Sequence, residues 1–331
     1  MQLNKLTKED SKVIDILKCI GILSVISAHV VQYSEVNLIT KIVSFFWNQF
    51  GHVGVVIFFV IGGFLYSRKD GDDATFWKKK LFRIIIPWML AAIITYAICV
   101  MLGGPLGVYE CIKWAFGSGT WFYYIVVYTF FLFIFKWLYK YDAVLYILIG
   151  IQAVALTLAS FGVSITINGG FFTDYLNPLY WIGYFSAGIL IRRYGINRMI
   201  ENNKKKVFVI FILLFIVSLS FLYVKNINTY FDIFSMLFSV SSTVLITMFA
   251  YKFQQYRTAT FIGQVGTYSY CIYLWHMQLL QGLFSKIPDN IFETLFSPII
   301  GLIIMVVLIK TGLFICNKIK GGNTIKMVVG L

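Results

Sequence analysis

Ten long apolar runs follow one another along almost the whole chain. A membrane-spanning helix needs about 17–25 mostly apolar residues, and within lipid a helix satisfies all of its own backbone hydrogen bonds. The chain is 59% hydrophobic and only 13% charged, whereas soluble domains are about 45–50% apolar and about 25% charged. We therefore predict an all-α polytopic integral membrane protein with about ten transmembrane helices. The predicted spans are 13–31, 53–66, 82–102, 121–138, 143–161, 179–191, 207–224, 231–251, 261–284 and 296–316.

The positions of the basic residues give this topology a direction. If the N-terminus is cytoplasmic, the outward-facing pieces carry only four of the 28 lysines and arginines. Basic residues collect on the cytoplasmic side of membrane proteins, so both termini are expected to be cytoplasmic and residues 1–331 to form a single membrane domain. The net charge of +14 then reflects topology and does not indicate nucleic-acid binding. The four outward residues are Lys41, Lys113, Lys225 and Lys286, while Lys18 and Lys310 lie within spans.

The first predicted span carries three ionisable residues near one face. Lys18 and His29 are eleven residues apart, about three helical turns, and Asp15 lies three residues before Lys18. Ionisable groups inside a bilayer are costly and face a polar interior, so this stripe predicts a functional site. Asp15 and Lys18 are also near the cytoplasmic end, where an ion pair or snorkelling would explain them. Small residues on an adjacent face, which would let another helix approach closely, are Gly21, Ser24 and Ala28.

Two further histidines and a basic pair are candidate site residues. His52 and His276 fall in the outer half of the predicted membrane domain together with His29. Histidine commonly transfers protons near neutral pH, although His52 could equally be an interfacial residue and His276 a helix-packing partner. Lys80 and Arg83 lie within one helical turn at the mouth of a span. They suit either the phosphate groups of a cytoplasmic ligand or plain anchoring. Five scattered cysteines predict neither a disulfide framework nor a metal site.

In their order along the chain, these residues resemble the integral-membrane acyltransferase family 3. The resemblance extends over nearly the whole chain. It includes the family's first-helix signature, in which Arg or Lys precedes His by the same interval as Lys18 precedes His29. The matching pieces are Asp15-x-x-Lys18-x10-His29, residues 51–69, Lys80-x-x-Arg83 followed by IIIP, Trp121-Phe122-Tyr123, and Tyr270-Cys271-Ile272-Tyr273-Leu274-Trp275-His276.

The resemblance implies a membrane-bound O-acyltransferase with no permanently bound cofactor. The donor would be acetyl-CoA or another acyl-CoA, and the acceptor a hydroxyl of a cell-surface or exopolysaccharide glycan or its lipid-linked precursor. The expected location is the plasma (inner) membrane of a bacterium. Lys18 and Asp15 would support the catalytic His29, which acts as a general base or as a transient acyl-histidine, while Lys80 and Arg83 would bind the donor. Acceptor or accessory residues would be His52, Trp121, Tyr273 and His276.

Some residues depart from the family's pattern. Lys18 and Lys80 stand where arginine is commoner, which weakens the expected bidentate contacts to phosphate. Gly62 stands where the second helix often has serine, and Trp121 lacks the following acid of the branch with a Trp-Ser-Leu-x-x-Glu pattern. These departures affect the donor contacts and the acceptor rather than the class of reaction.

A secondary transporter or flippase is the competing interpretation. The stripe formed by Asp15, Lys18 and His29 would then be a proton relay, and intramembrane charge fits that function equally well. Transporters of this kind commonly have internal repeats and paired broken helices, neither of which the sequence indicates. The acyltransferase is therefore the favoured prediction.

Overall fold

A computed structural model describes residues 6–31, 37–66, 73–166, 170–195, 204–284 and 290–319, together with 322, 325, 326 and 329–331. These residues form helices that are joined mainly by short loops. The helices are α1 (Lys8–Val30), α2 (Leu38–Leu65), α3 (Asp73–Met101), α4 (Val108–Ala115), α5 (Tyr123–Leu138), α6 (Asp142–Ser160), α7 (Ile182–Tyr194), α8 (Lys204–Val224), α9 (Ile233–Phe253), α10 (Arg257–Gly266), α11 (Ser269–His276) and α12 (Ile291–Cys316).

Each predicted apolar run is helical, but the helices differ in their capacity to cross a membrane. Among the described residues, seven are long and apolar enough: α1, α2, α3, α6, α8, α9 and α12. Helices α5 and α7 have only 16 and 13 residues. The run 261–284 is divided among α10, α11 and a π-helical turn at Met277–Gln281. The all-helical fold is confirmed, while the count of ten spans and the orientation of the termini remain predictions. Lys286 and residues 67–69 lie outside the described residues.

Helix α1 starts at a capping box. The Thr7 hydroxyl accepts a hydrogen bond from the Asp10 backbone N–H, and the Asp10 carboxylate accepts one from the Thr7 N–H, both at 3.0 Å. Such a box satisfies two backbone donors that the first turn would leave unpaired. It fixes the start of the helix that carries the ionisable stripe.

Small residues allow α1 and α2 to pack closely. A Cβ atom at Gly54 would lie 2.4 Å from the Gly21 carbonyl oxygen, and one at Gly51 would lie 2.7 Å from the Ala28 Cβ. The Ser24 hydroxyl donates to the Phe50 carbonyl at 2.5 Å and accepts from the Gly54 N–H at 2.6 Å. The predicted close approach along the small face of α1 is therefore confirmed.

Helix α1 lies in the interior of the bundle. A Cβ at Gly266, at the end of α10, would lie 1.8 Å from the Asp15 carbonyl oxygen, so α10 touches α1 closely as well. In the most apolar stretch of each helix, 67% of α1 is buried but only 11% of α8. The ionisable stripe is thus on a central helix, whereas α8 is peripheral.

Candidate active site

Helices α1 and α11 bring two of the predicted histidines together. The ring centroids of His29 and His276 are 5.2 Å apart, with an angle of 46° between the rings. His276 is completely buried, whereas His29 is exposed. His29 thus keeps exposed surface, and His276 lies behind it in the protein interior.

The backbone determines which nitrogen of His276 carries its proton. Its Nδ1 atom lies 2.8 Å from the carbonyl oxygen of Tyr273. A carbonyl oxygen only accepts, so Nδ1 is the donor and Nε2 of the neutral ring is an acceptor. This Nε2 atom is buried and has no hydrogen-bond partner among the described residues. Of the rings recorded around His276, which also include those of Trp121 and Tyr273, that of His29 is the nearest.

Trp121 and Tyr273 complete this outer group. The ring centroid of Trp121 is 6.3 Å from that of His276, and the two rings meet nearly edge-on. The Tyr273 hydroxyl donates to the Trp121 carbonyl oxygen, which ties α11 to the segment preceding α5. The buried Trp121 Nε1 has no acceptor in the described part of the chain. Four of the predicted residues are therefore neighbours, although they come from three distant parts of the sequence.

A cavity of about 380 Å³ joins predicted residues from α1, α3 and α11. Lys18 and Arg83 line it together, and Tyr273 lines it as well, next to His276. Lys18 is held by Asp15, whose Oδ1 lies 2.9 Å from the lysine Nζ. Neither His29 nor His276 is among its lining residues, so Tyr273 is the residue that connects this cavity wall to the histidine pair.

Three tyrosines that sequence reasoning missed also line this cavity. They are Tyr124 and Tyr128 of α5 and Tyr270 of α11. For Tyr124 and Tyr128 the available signal is their spacing, because residues four apart on a helix share one face. In an apolar helix, however, tyrosines usually indicate packing or a membrane interface. Their rings give the cavity a mixed apolar and hydroxyl-bearing wall.

Lys80 reaches the cavity through a tyrosine. Its Nζ lies 3.4 Å from the hydroxyl of Tyr128 and 5.8 Å from the centre of that ring. It also lies 5.6 Å from the centre of the Phe76 ring. Lys80 is therefore beside the wall that Lys18 and Arg83 share.

A π-helical turn at Leu81–Ile85 positions Arg83. Pro87 lacks the N–H that would bond to the Arg83 carbonyl in a regular α-helix, and proline was the visible sequence signal for this irregularity. The Tyr270 hydroxyl donates to the Ile84 carbonyl at 2.6 Å. Turns of this kind often occur at functional sites, and here one joins the helix of Arg83 to the helix of His276.

The family model for the acyltransferase domain of family 3 matches residues 12–316. The chain belongs to acyltransferase family 3. The match covers every predicted site residue from Asp15 to His276. In comparisons with curated proteins and with solved structures, nothing matches the chain. The protein is thus a multi-pass membrane protein with an acyltransferase domain.

One departure from the family 3 pattern lies in the cavity wall. Gly62 lines the cavity, and a Cβ added there would lie 2.7 Å from Cε2 of Tyr128. Since α2 offers no side chain at this point, the Tyr128 ring occupies the space. Gly62 and Tyr128 together set the width of the cavity there.

His52 occupies a different part of this family 3 protein. Its ring centroid is 4.2 Å from that of Tyr230, and its buried Nδ1 has no partner among the described residues. Tyr230 in turn contacts Tyr175 and Trp181. Burial and the neighbouring Asp174 carboxylate raise the pKa of Tyr175, so its hydroxyl remains a donor. The structure places His52 in this aromatic cluster rather than with His29.

Among the described residues, no group of three or more His, Cys, Asp or Glu side chains could hold a metal ion. The polar residues of the site instead form two separate groups. One is the histidine pair with Trp121 and Tyr273, and the other is the cationic group of Lys18, Lys80 and Arg83 around the cavity. The first group can exchange protons, and the second can hold an anion.

Proposed function

We propose that this family 3 protein transfers an acetyl group from acetyl-CoA to a hydroxyl of a cell-surface glycan or its lipid-linked precursor. The observation that carries the proposal is one cavity whose wall includes Lys18, Arg83 and Tyr273, the last of which contacts His276. A donor with an anionic head and a reactive end needs this combination of cations and a base. The proposed location is the plasma membrane of a bacterium.

The donor would bind with its phosphates against the cations. Arg83 and Lys18 line the cavity, and Lys80 lies beside it. Hydrogen bonds from cations to phosphate are shorter and stronger than neutral ones. Eleven residues at about 1.5 Å each separate Lys18 from His29 by about 16 Å along the axis of α1. The pantetheine arm would cover this distance along the tyrosine-lined wall.

His29 would act as a general base on the acceptor hydroxyl. The hydroxyl gives its proton to His29 while its oxygen forms a bond to the thioester carbonyl carbon. The carbon–sulfur bond then breaks, and the leaving thiolate takes the proton back from the imidazolium. The products are the O-acetylated glycan and CoA with a free thiol.

His276 would position His29 for this step. Its Nε2 is an acceptor without a partner among the described residues. A hydrogen bond from His29 to this atom would leave the second His29 nitrogen free to take the proton. It would also stabilise the imidazolium, as the third group does in nucleophile–base arrangements.

The test is transfer of radiolabelled acetyl from acetyl-CoA to a lipid-linked glycan by the purified protein. Loss of a general base costs about 10²–10⁴-fold in rate, so His29→Ala should lose transfer while the protein still accumulates in the membrane. Lys310→Gln is the control, because Lys310 is an exposed residue of α12 that faces the ring of Phe261.

Three results would separate the alternatives. Unchanged transfer by His29→Ala removes this residue from the mechanism. Release of CoA without acceptor, with label left on the protein, indicates an acyl-histidine instead of a general base. Uptake of a labelled solute without any transfer favours the transporter.

A further inference from the structure

A second cavity, which we call the groove, lies beside the donor cavity. Its volume is about 220 Å³, and it shares Ile61 with the donor cavity. Five helices line it, and each contributes residues from the end that lies at one membrane face. These residues include Val13 of α1, Phe64 of α2, Ile191 of α7, Val207 of α8 and Tyr251 of α9.

The groove suits hydrocarbon and does not suit water. Apart from Tyr251, its polar lining residues are Thr243 and Thr247. Both threonine hydroxyls donate to carbonyl oxygens of their own helix, at 2.8 and 2.7 Å. A water needs only about 10–15 Å³ but also two to four polar partners. A space this large with so few polar partners does not hold water well, and its lining suits an apolar chain.

Basic residues surround the mouth of the groove. Lys204, Val207 and Phe211 follow one another at helical spacing, so the stripe of α8 that lines the groove begins with a lysine. Lys204 and the two lysines after it are exposed. Arg192 follows the lining residue Ile191, and its Nη1 donates to the Phe64 carbonyl at 3.1 Å. The mouth therefore attracts a negative group.

Two acids of α1 lie at the same end: Glu9, which is exposed and close enough to Tyr251 to act on its hydroxyl electrostatically, and Asp10, which already has partners. Asp10 Oδ1 accepts a hydrogen bond from the Tyr251 hydroxyl at 2.6 Å, and its Oδ2 accepts from the Thr7 N–H at 3.0 Å. Asp10 therefore closes the α1 side of the mouth, and the three exposed lysines of α8 outnumber the exposed Glu9.

We propose that the groove holds one acyl chain of an anionic phospholipid, with the lipid phosphate against Lys204, where the lining stripe of α8 begins. Apolar lining and a cationic mouth are the two features that such a lipid requires. Since only 11% of α8 is buried, the chain would fill the space between this peripheral helix and the α1–α2 core. The proposed topology puts this lipid in the cytoplasmic leaflet.

The experiment is native mass spectrometry of the purified protein, titrated with phosphatidylglycerol or phosphatidylcholine. We expect phosphatidylglycerol to bind at least tenfold more tightly and to raise the unfolding temperature. Val244 lines the groove, so Val244→Phe should fill it and abolish this binding. The matched control is Val209→Phe on α8, where the valine is 51% exposed. Replacing the three lysines by glutamine should lower the affinity on the order of 100-fold.

Three results would overturn the proposal. The first is equal affinity for the two lipids, and the second is equal phosphatidylglycerol binding by Val244→Phe and Val209→Phe. If Val244→Phe does not accumulate, the lysine variant decides, and unchanged affinity there also refutes the proposal. Lipid binding is read out directly, so the answer does not depend on whether the protein transfers acetyl groups.

Discussion

Two substitutions of His276 test the role of its Nε2 atom separately from that of Nδ1. In the parent protein, Nδ1 of His276 lies 2.8 Å from the Tyr273 carbonyl oxygen. Asparagine places its amide nitrogen near the position of Nδ1 and can still donate to this oxygen. It leaves nothing at the Nε2 position. Glutamine instead brings an amide oxygen close to that position, where it can accept a hydrogen bond from His29. The two residues differ by one methylene group, so much of their packing cost is shared.

The expected size of the effect follows from the hydrogen bond at stake. Hydrogen bonds to charged groups contribute about 1.5–3 kcal/mol, and each 1.36 kcal/mol changes a rate about tenfold. His276→Asn should therefore lower kcat by about 10–100-fold. His276→Gln should recover much of this loss. The KM for the acyl donor should stay close to normal in both variants, because Lys18 and Arg83 lie in the other group.

Single-turnover transfer of labelled acetyl measures the chemical step, and thermal unfolding of the same preparations measures folding. His276 is fully buried, so both variants should unfold at lower temperature than the parent protein. A purely structural role predicts that the rates follow the unfolding temperatures. Equal rates for the two variants, or a faster asparagine variant at equal stability, would refute the positioning role.

Three further predictions concern the cavity and the α1–α2 contact. Arg83→Gln should raise the donor KM about 10–100-fold through loss of a charge-assisted contact; equal effects of Lys79→Gln, at an exposed position in α3, would mean that surface charge alone matters. Gly62→Ala should raise the donor KM about tenfold, because its methyl group overpacks the cavity wall. The control is Gly312→Ala, whose added methyl group meets nothing within 4 Å, so its donor KM should be unchanged. Equal KM values for the two variants would contradict the role of Gly62 in the cavity wall. Ser24→Ala should destabilise the fold by about 1–3 kcal/mol, since one hydroxyl holds both Phe50 and Gly54. An unchanged unfolding temperature would show that the contact contributes little.

The ionisable stripe was predictable because burial in lipid penalises charge so strongly. Asp15, Lys18 and His29 were expected to face a polar interior, and they lie on the most buried stretch of any candidate spanning helix except α2. Asp15 and Lys18 are partly buried there, while His29 is exposed. The pairing of His29 with His276 was not predictable in the same way. Periodicity relates residues within one helix and contains no information on which distant helix packs against it.

The broken run at 261–284 illustrates another limit of sequence reasoning. Its hydropathy is that of one span, yet α10 ends at Gly266 and α11 starts three residues later, at Ser269. A Cβ at Gly266 would lie 1.8 Å from the Asp15 carbonyl oxygen. The need for glycine therefore comes from contact with α1, and an average of hydropathy over residues cannot detect such a contact.

The positions of these glycines bear on how the site keeps its geometry. Gly54 on α2 and Gly266 on α10 both touch the backbone of α1, at the Gly21 and Asp15 carbonyl oxygens. Backbone contacts with α2 and α10 therefore hold α1 in position. Unlike side-chain contacts, they cannot be lost through a change of rotamer. A misplacement of 1 Å can cost about 100-fold in rate even when it arises far from the chemistry. Because His29 and His276 reside on different helices, the distance between them depends on this packing. The glycines of the bundle therefore serve the proposed proton transfer as much as the fold, although none of them touches a reactant.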